Sequence, residues 1–222
     1  MEIKKLVLFS SDITKQKAFY QDVLGFKLAE IKSDYFNFNI GNSLLEFRVG
    51  STYSPYHFAI NIPAYKEKEA VHFLNDRLNV LSYNKQLIQD FENWNAKAVY
   101  FYDADNNIVE FISRRNLKNS TTKTFDLTQC LSISEIGIAT TQLERTFEFF
   151  NKMNLSIYDG SFEKFLAVGD EEGLFICVHP DKKKWFPTDD KIHKSNFIAC
   201  ISIENCNYKV IFNQSDLSVL IE

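Results

Sequence analysis

Glycine is scarce in this chain of 222 residues, with seven in all, and no G-x-G-x-x-G or Walker-type pattern occurs. A nucleotide cradled by a glycine-rich turn at a helix start is therefore not supported. The four cysteines, Cys130, Cys177, Cys200 and Cys206, form no C-x-x-C pair. That spacing argues against a zinc knuckle or a disulfide framework and fits reduced, buried thiols. No apolar run approaches the roughly 18 residues of a membrane span. The densest, residues 197–203, has the length of a buried strand. Positive charge is not in excess either: the formal net charge is −4, which removes the basic stripe of a phosphate-backbone binder. No nucleic-acid and no membrane partner is expected. The first residues lack the apolar core of a signal peptide, so the expected location is cytoplasmic.

What the chain has in abundance is aromatic residues, 21 Phe and 10 Tyr, within a composition 45% apolar and 24% charged. These values suit a globular protein whose strands pack through large rings. Self-similarity organises them. Residues 3–9 read as a strand, Asp12 as a cap, residues 13–24 as an amphipathic helix stopped by Gly25, and residues 26–31, 35–40 and 44–49 as three further strands. This βαβββ unit recurs from residue 56, with a helix over 66–78 and closing strands over 97–102 and 108–112. A third copy starts at residue 133, with a helix over 143–153 and strands over 162–168 and 174–178. The fourth, over 197–203, 208–212 and 217–221, has no room for a helix. Residues 116–127, rich in Lys, Ser, Thr and Asn, read as a linker between residues 1–115 and a degenerate second half, 128–222.

The run LVLFSSDITKQKAFYQDVLGF at residues 6–26 resembles the opening module of the vicinal-oxygen-chelate superfamily. That superfamily includes glyoxalase I, bleomycin-resistance and fosfomycin-resistance proteins and extradiol dioxygenases. The segment VYFYDADNNIVEF at residues 99–111 resembles its closing hairpin. The resemblance implies an α+β fold, with repeated βαβββ modules forming curved mixed sheets, helices outside and a divalent metal on the concave face. It also implies a ligand set: Glu46 in the fourth strand, His57 in the fifth and Glu110 in the eighth. The first ligand, usually histidine, falls on Lys5, whose ammonium has no lone pair at neutral pH.

Strand alternation agrees with a shared polar face. Glu46 lies with Leu44 and Arg48, opposite Leu45, Phe47 and Val49; His57 alternates with Phe58, and Glu110 with Val109 and Phe111. A set of one histidine and two carboxylates suits Fe, Mn, Ni or Zn without choosing among them. In such a site Glu46 or Glu110 doubles as general base, and Arg48 and Lys5 are the cationic contacts to a bound group. Taken singly, Arg48 reads first as a strand-edge partner of Asp34 or Glu30. Tyr35, Tyr100 and Tyr102 line a cavity or simply pack.

Two readings follow from these residues. One is a glyoxalase- or dioxygenase-like metalloenzyme, a lyase, isomerase or oxygenase, acting on a small molecule with vicinal oxygens. The other is a metal-free binding protein with a retired site, in which Lys5 sits beside Glu46 or Glu110 and replaces the ion's charge. Either is compatible with a homodimer. Glu135 stands at the position equivalent to Lys5, but with Ile176 at the next ligand position no duplicated site is expected. His72 reads as structural. The stretch 181–187, flanked by His179 and His193, reads as a solvated basic loop with an aromatic anchor.

Overall fold

The computed structural model describes residues 1–50, 54–214 and 216–221. The first module runs β1 (Glu2–Ser10), α1 (Ile13–Ala18), β2 (Leu28–Ile31), β3 (Tyr35–Ile40) and β4 (Ser43–Val49). The second runs β5 (His57–Ile62), α2 (Glu67–Asn75), the short β6 (Val80–Leu81) and β7 (Gln89–Phe91), then β8 (Ala96–Tyr102) and β9 (Ile108–Arg114). The third consists of β10 (Ser132–Ala139), α3 (Leu143–Asn151), β11 (Ile157–Ser161), β12 (Phe165–Asp170) and β13 (Gly173–Val178). The fourth is a meander of β14 (Phe197–Ile203), β15 (Cys206–Asn213) and β16 (Asp216–Ile221). Where one strand was expected over residues 162–168, the structure has a hairpin whose turn falls between β11 and β12.

Local chemistry explains the first helix. Asp12 Oδ1 accepts from the Lys15 amide at 3.0 Å, and the chain widens into a π-helical turn over Phe19–Leu24. Gly25, at φ +97°, then ends it. Gln16 and Tyr20 of this segment both donate to Asp103 in the turn between β8 and β9. The first module's helix is thereby tied to the second module's closing hairpin.

Within each complete module the first and last strands run parallel: β1 with β4, β5 with β9 and β10 with β13. Between modules the pairing is crosswise. β1 lies antiparallel to β14, with Lys5 opposite Cys200, and β10 lies antiparallel to β5, with Glu135 opposite Ala59. The first module therefore adjoins the fourth and the second adjoins the third, joined at the single pair Ile3–Ile133 into one 16-stranded mixed sheet. Strand pairing thus crosses the 116–127 boundary rather than stopping at it. Within that stretch Phe125 is buried, its ring 5.8 Å from Phe73 and 6.0 Å from Phe111.

Helices cover one face, where Tyr20, Leu74, Leu143 and Phe150 pack with Phe47, Phe111 and Phe175. Fully burying such a side chain contributes roughly 1.5–3 kcal/mol. A smaller apolar cluster with Ala59, Ala98, Ala139 and Ala167 occupies the other face. Among the described residues no helix is long and apolar enough to cross a membrane. Cys130 and Cys177 are buried, and burial raises both thiols; Cys206, against expectation, is exposed.

The β3–β4 turn touches the chain entering β10. Asn42 N donates to Leu131 O at 2.8 Å, and a Cβ on Gly41 (φ +54°) would stand 1.9 Å from that same oxygen. Gly41→Ala is expected to destabilise the fold by roughly 2–4 kcal/mol, read as a lower urea midpoint at unchanged slope.

Candidate metal centre

A β-bulge decides which side chains face the cavity. In β10 the register shifts between Ile133 and Glu135. Ile133, Ile136 and Ile138 all reach the helix-side core, whereas strict alternation would put Ile133 and Ile136 on opposite faces. Glu135 and Gly137 are thus turned to the other face. The same shift occurs in β1 between Ile3 and Lys5, so Ile3, Leu6 and Leu8 share the core and Lys5 does not.

On that face His57, Glu110 and Glu135 meet. One ligand atom from each lies within 4.8 Å of the other two. His57 Nε2 is 3.6 Å from Glu110 Oε2 and 3.8 Å from Glu135 Oε2. All three residues are buried. His57 Nδ1 lies 3.2 Å from the Ile108 carbonyl, the arrangement that places the proton on Nδ1 and leaves the Nε2 lone pair facing the carboxylates. Arg114, fully buried, donates from Nη2 to Glu135 and from Nε to Asn61 Oδ1 at 3.2 Å.

Charge is unbalanced at one point. Glu135 has the Arg114 guanidinium, whereas Glu110 has the Tyr100 hydroxyl as donor and no paired Lys or Arg among the described residues. Burial, then the neighbouring Glu135 charge, push the Glu110 carboxyl well above the usual range, against the opposing effects of Arg114 and Tyr100. Burial and the same carboxylates raise the Tyr100 phenol, so it stays a donor.

The residues present fit a divalent ion. One imidazole nitrogen and two carboxylates form a borderline-to-hard donor set. A dry pair of carboxylates sharing one guanidinium is short of positive charge, which such an ion supplies. The cluster forms one wall of a cavity of about 730 Å³. Its roof comes from the segment between β13 and β14. Trp185 has its ring 5.0 Å from the His57 ring, and Phe186 packs against Tyr83, Phe91 and Tyr100. The loop read as solvated is so only in part: Lys182 and Lys184 are exposed, whereas Trp185 is buried.

Of the three ligands implied by the resemblance, the structure brings together His57 and Glu110. Glu46 lies apart, on the first-and-fourth side of the sheet, where Lys5 Nζ is 2.7 Å from its Oε2 and Arg48 Nε 2.6 Å from its Oε1. Arg48, alternatively assigned to Asp34 or Glu30, thus pairs with Glu46, and its guanidinium lies 5.9 Å from the Tyr35 ring. Tyr100 lines the cavity, and Tyr102 donates to Asp190 Oδ2 at 2.6 Å.

Crosswise pairing explains the separation. Val7 is the register partner of both Glu46 and Ile198, as Gly137 is of Ile176. Extending the β10–β5 register by one residue puts His57 where Ile198 stands. Each half of the sheet therefore keeps part of one ligand pattern. The residue missed by sequence reasoning is Glu135, and its signal was present: the spacing of Ile133, Ile136 and Ile138 matches that of Ile3, Leu6 and Leu8.

Burial by itself would raise the Glu46 carboxyl, but the hydrogen-bonded Lys5 and Arg48 outweigh it and hold the group below its ordinary value. With the folded pKa depressed, the stabilisation is complete above the unfolded carboxyl's pKa, about 4.3, and is lost as pH falls through the folded value. Lys5→Met is expected to cost about 1–2 kcal/mol at pH 7, allowing for the part-exposed lysine, with the gap closing in acid. Urea midpoints taken from pH 7 down through the unfolded carboxyl's value, about 4.3, and below it check the change; a pH-independent gap contradicts it.

Residues 2–75 match the model of the Glyoxalase/Bleomycin resistance protein/Dioxygenase superfamily. No curated protein matches the chain. Among solved structures, a provisionally assigned dioxygenase of Bacillus subtilis subsp. subtilis strain 168 aligns over 100% of this chain and 84% of its own, at 13% identity and TM-score 0.62. Lactoylglutathione lyase of Agrobacterium tumefaciens covers 51% of this chain and 94% of its own at 18% identity and TM-score 0.43. The fosfomycin resistance protein FosX of Listeria monocytogenes covers 51% and 93% at 18% identity and TM-score 0.41. The likeness to the Glyoxalase/Bleomycin resistance protein/Dioxygenase superfamily is thus carried in sequence by residues 2–75, and over its whole length the chain shares the fold of the Bacillus subtilis structure.

Proposed function

We propose that the protein is a metal-dependent enzyme that holds one divalent ion through His57, Glu110 and Glu135 and acts on a small molecule presenting adjacent oxygens. The observation that carries this reading is the convergence of three buried donor atoms within 4.8 Å on the wall of a cavity of about 730 Å³. A volume of that order suits a small substrate. When bound, an ion of the Fe, Mn, Ni or Zn type supplies Lewis acidity to the substrate's oxygens.

The chain's own residues do the rest. Arg114 fixes the Glu135 carboxylate, and the Ile108 carbonyl fixes the His57 tautomer. Without the ion, Glu110 is the group suited to hold a proton, because it is dry and no Lys or Arg among the described residues pairs with it; binding the ion would displace that proton. Trp185 and Phe186 exclude water above it. Glu46 has no part in this site. Metal-free binding, the other reading of the sequence, finds support at Glu46, where Lys5 and Arg48 supply the positive charge directly.

Elemental analysis of the purified protein is expected to return about one equivalent of Fe, Mn, Ni or Zn. Glu135→Gln and His57→Ala should each weaken Mn(II) or Zn(II) binding by about tenfold or more, while Glu46→Gln leaves it unchanged. A wild-type protein that takes up no divalent ion, or a loss of binding in Glu46→Gln with Glu135→Gln unaffected, overturns the reading.

A further inference from the structure

Residues 179–196, between β13 and β14, contain neither helix nor strand, and Trp185 is the most buried large side chain they carry. Its indole rests on Gly137 of β10. A Cβ at Gly137 would stand 2.5 Å from Cη2 and 2.8 Å from Cζ2 of the indole. Any larger residue would therefore push the ring out, and glycine here makes a seat for it. Seated, Trp185 belongs to the walls of two cavities at once. One is the cavity of about 730 Å³ that contains His57, Glu110 and Glu135; the other, of about 480 Å³, lies against Tyr56, Tyr102, Ile108 and Asp190.

The loop backbone is tethered, and the indole is not. Tyr102 donates to Asp190 Oδ2 at 2.6 Å, Trp185 N to Asp190 O at 3.1 Å, and Ser195 Oγ to Pro55 O at 2.9 Å. Trp185 Nε1, by contrast, is buried without a hydrogen-bond partner among the described residues. An indole N–H shut away from both water and an acceptor disfavours the position it occupies. Apolar packing, against Gly137 and the His57 ring, holds the indole without a hydrogen bond, so the side chain can leave while the loop stays in place.

We propose that Trp185 is a specificity-determining gate: seated on Gly137 it divides one binding space into two cavities, and flat ligands longer than a single ring are admitted when the indole leaves that seat. The ring-lined walls, with Phe91, Trp94 and Phe165 beside Phe186, suit planar ligands. The inference goes beyond the metal-enzyme reading and does not depend on an ion.

The test uses the full chain with EDTA present. In a Trp94→Phe background Trp185 is the sole tryptophan. Its fluorescence should resist acrylamide quenching, and Gly137→Ala should raise the quenching constant about fivefold as the ring moves into water. Two anionic probes then read the passage: benzenesulfonate, with one ring, and anthracene-2-sulfonate, with three fused in one plane. Trp185→Ala and Gly137→Ala should each raise the affinity ratio of the three-ring over the one-ring probe about tenfold, equivalent to about 1.4 kcal/mol. An unchanged ratio in Trp185→Ala overturns the gate. So does low quenching in a Gly137→Ala protein that melts cooperatively. Should Gly137→Ala fail to fold, the probe ratio in Trp185→Ala decides the matter alone.

Discussion

Antiparallel pairing of β10 with β5, entered through the bulge between Ile133 and Glu135, is the constraint on which the site depends. It brings the third module's first strand against the second's. The bulge then turns Glu135 away from the helix-side core, toward His57 and Glu110. Without that one-residue shift Glu135 would face Phe150 and Phe175, where no cation waits for it. The matching bulge in β1 does the same for Lys5. The two halves of the sheet are thus built alike and differ in the side chains they carry.

Charge then separates the two clusters. A buried carboxylate needs a cation, strong donors or a proton. Glu46 has Lys5 and Arg48, and Glu135 has Arg114. Glu110 has the Tyr100 phenol and the His57 imidazole beside it, and no Lys or Arg pairs with it among the described residues. Small residues on the same face, Ala59, Ala98, Gly137 and Ala139, leave space above it. That space is bounded by rings instead of backbone.

Much of the molecule was legible in one dimension. Residues 1–49 display their βαβββ order through the Asp12 cap, the Gly25 stop and period-two alternation, because each of these is a local preference of the backbone. That Lys5 pairs with a buried carboxylate follows from charge, but the sequence left Glu46 and Glu110 both open, and the pairing of β1 with β4 chose Glu46. His57 and Glu110 were legible as inward residues for the same reason: alternation fixes a side chain's face without reference to any other strand. Even the bulge before Glu135 is written in the spacing of Ile133, Ile136 and Ile138.

What only the tertiary structure decided is which module adjoins which. The first strand of every module offers the same kind of edge, so first-with-second and first-with-fourth look alike in local sequence. The choice rests on contacts more than a hundred residues apart, such as Lys5 with Cys200 and Tyr56 with Asn196. Because that choice removes Glu46 from the cluster and puts Glu135 into it, the sequence by itself determined the faces and the residue types. The identity of the site came from the meeting of strand edges, which hydrogen-bonding backbone groups common to all residues cannot encode locally.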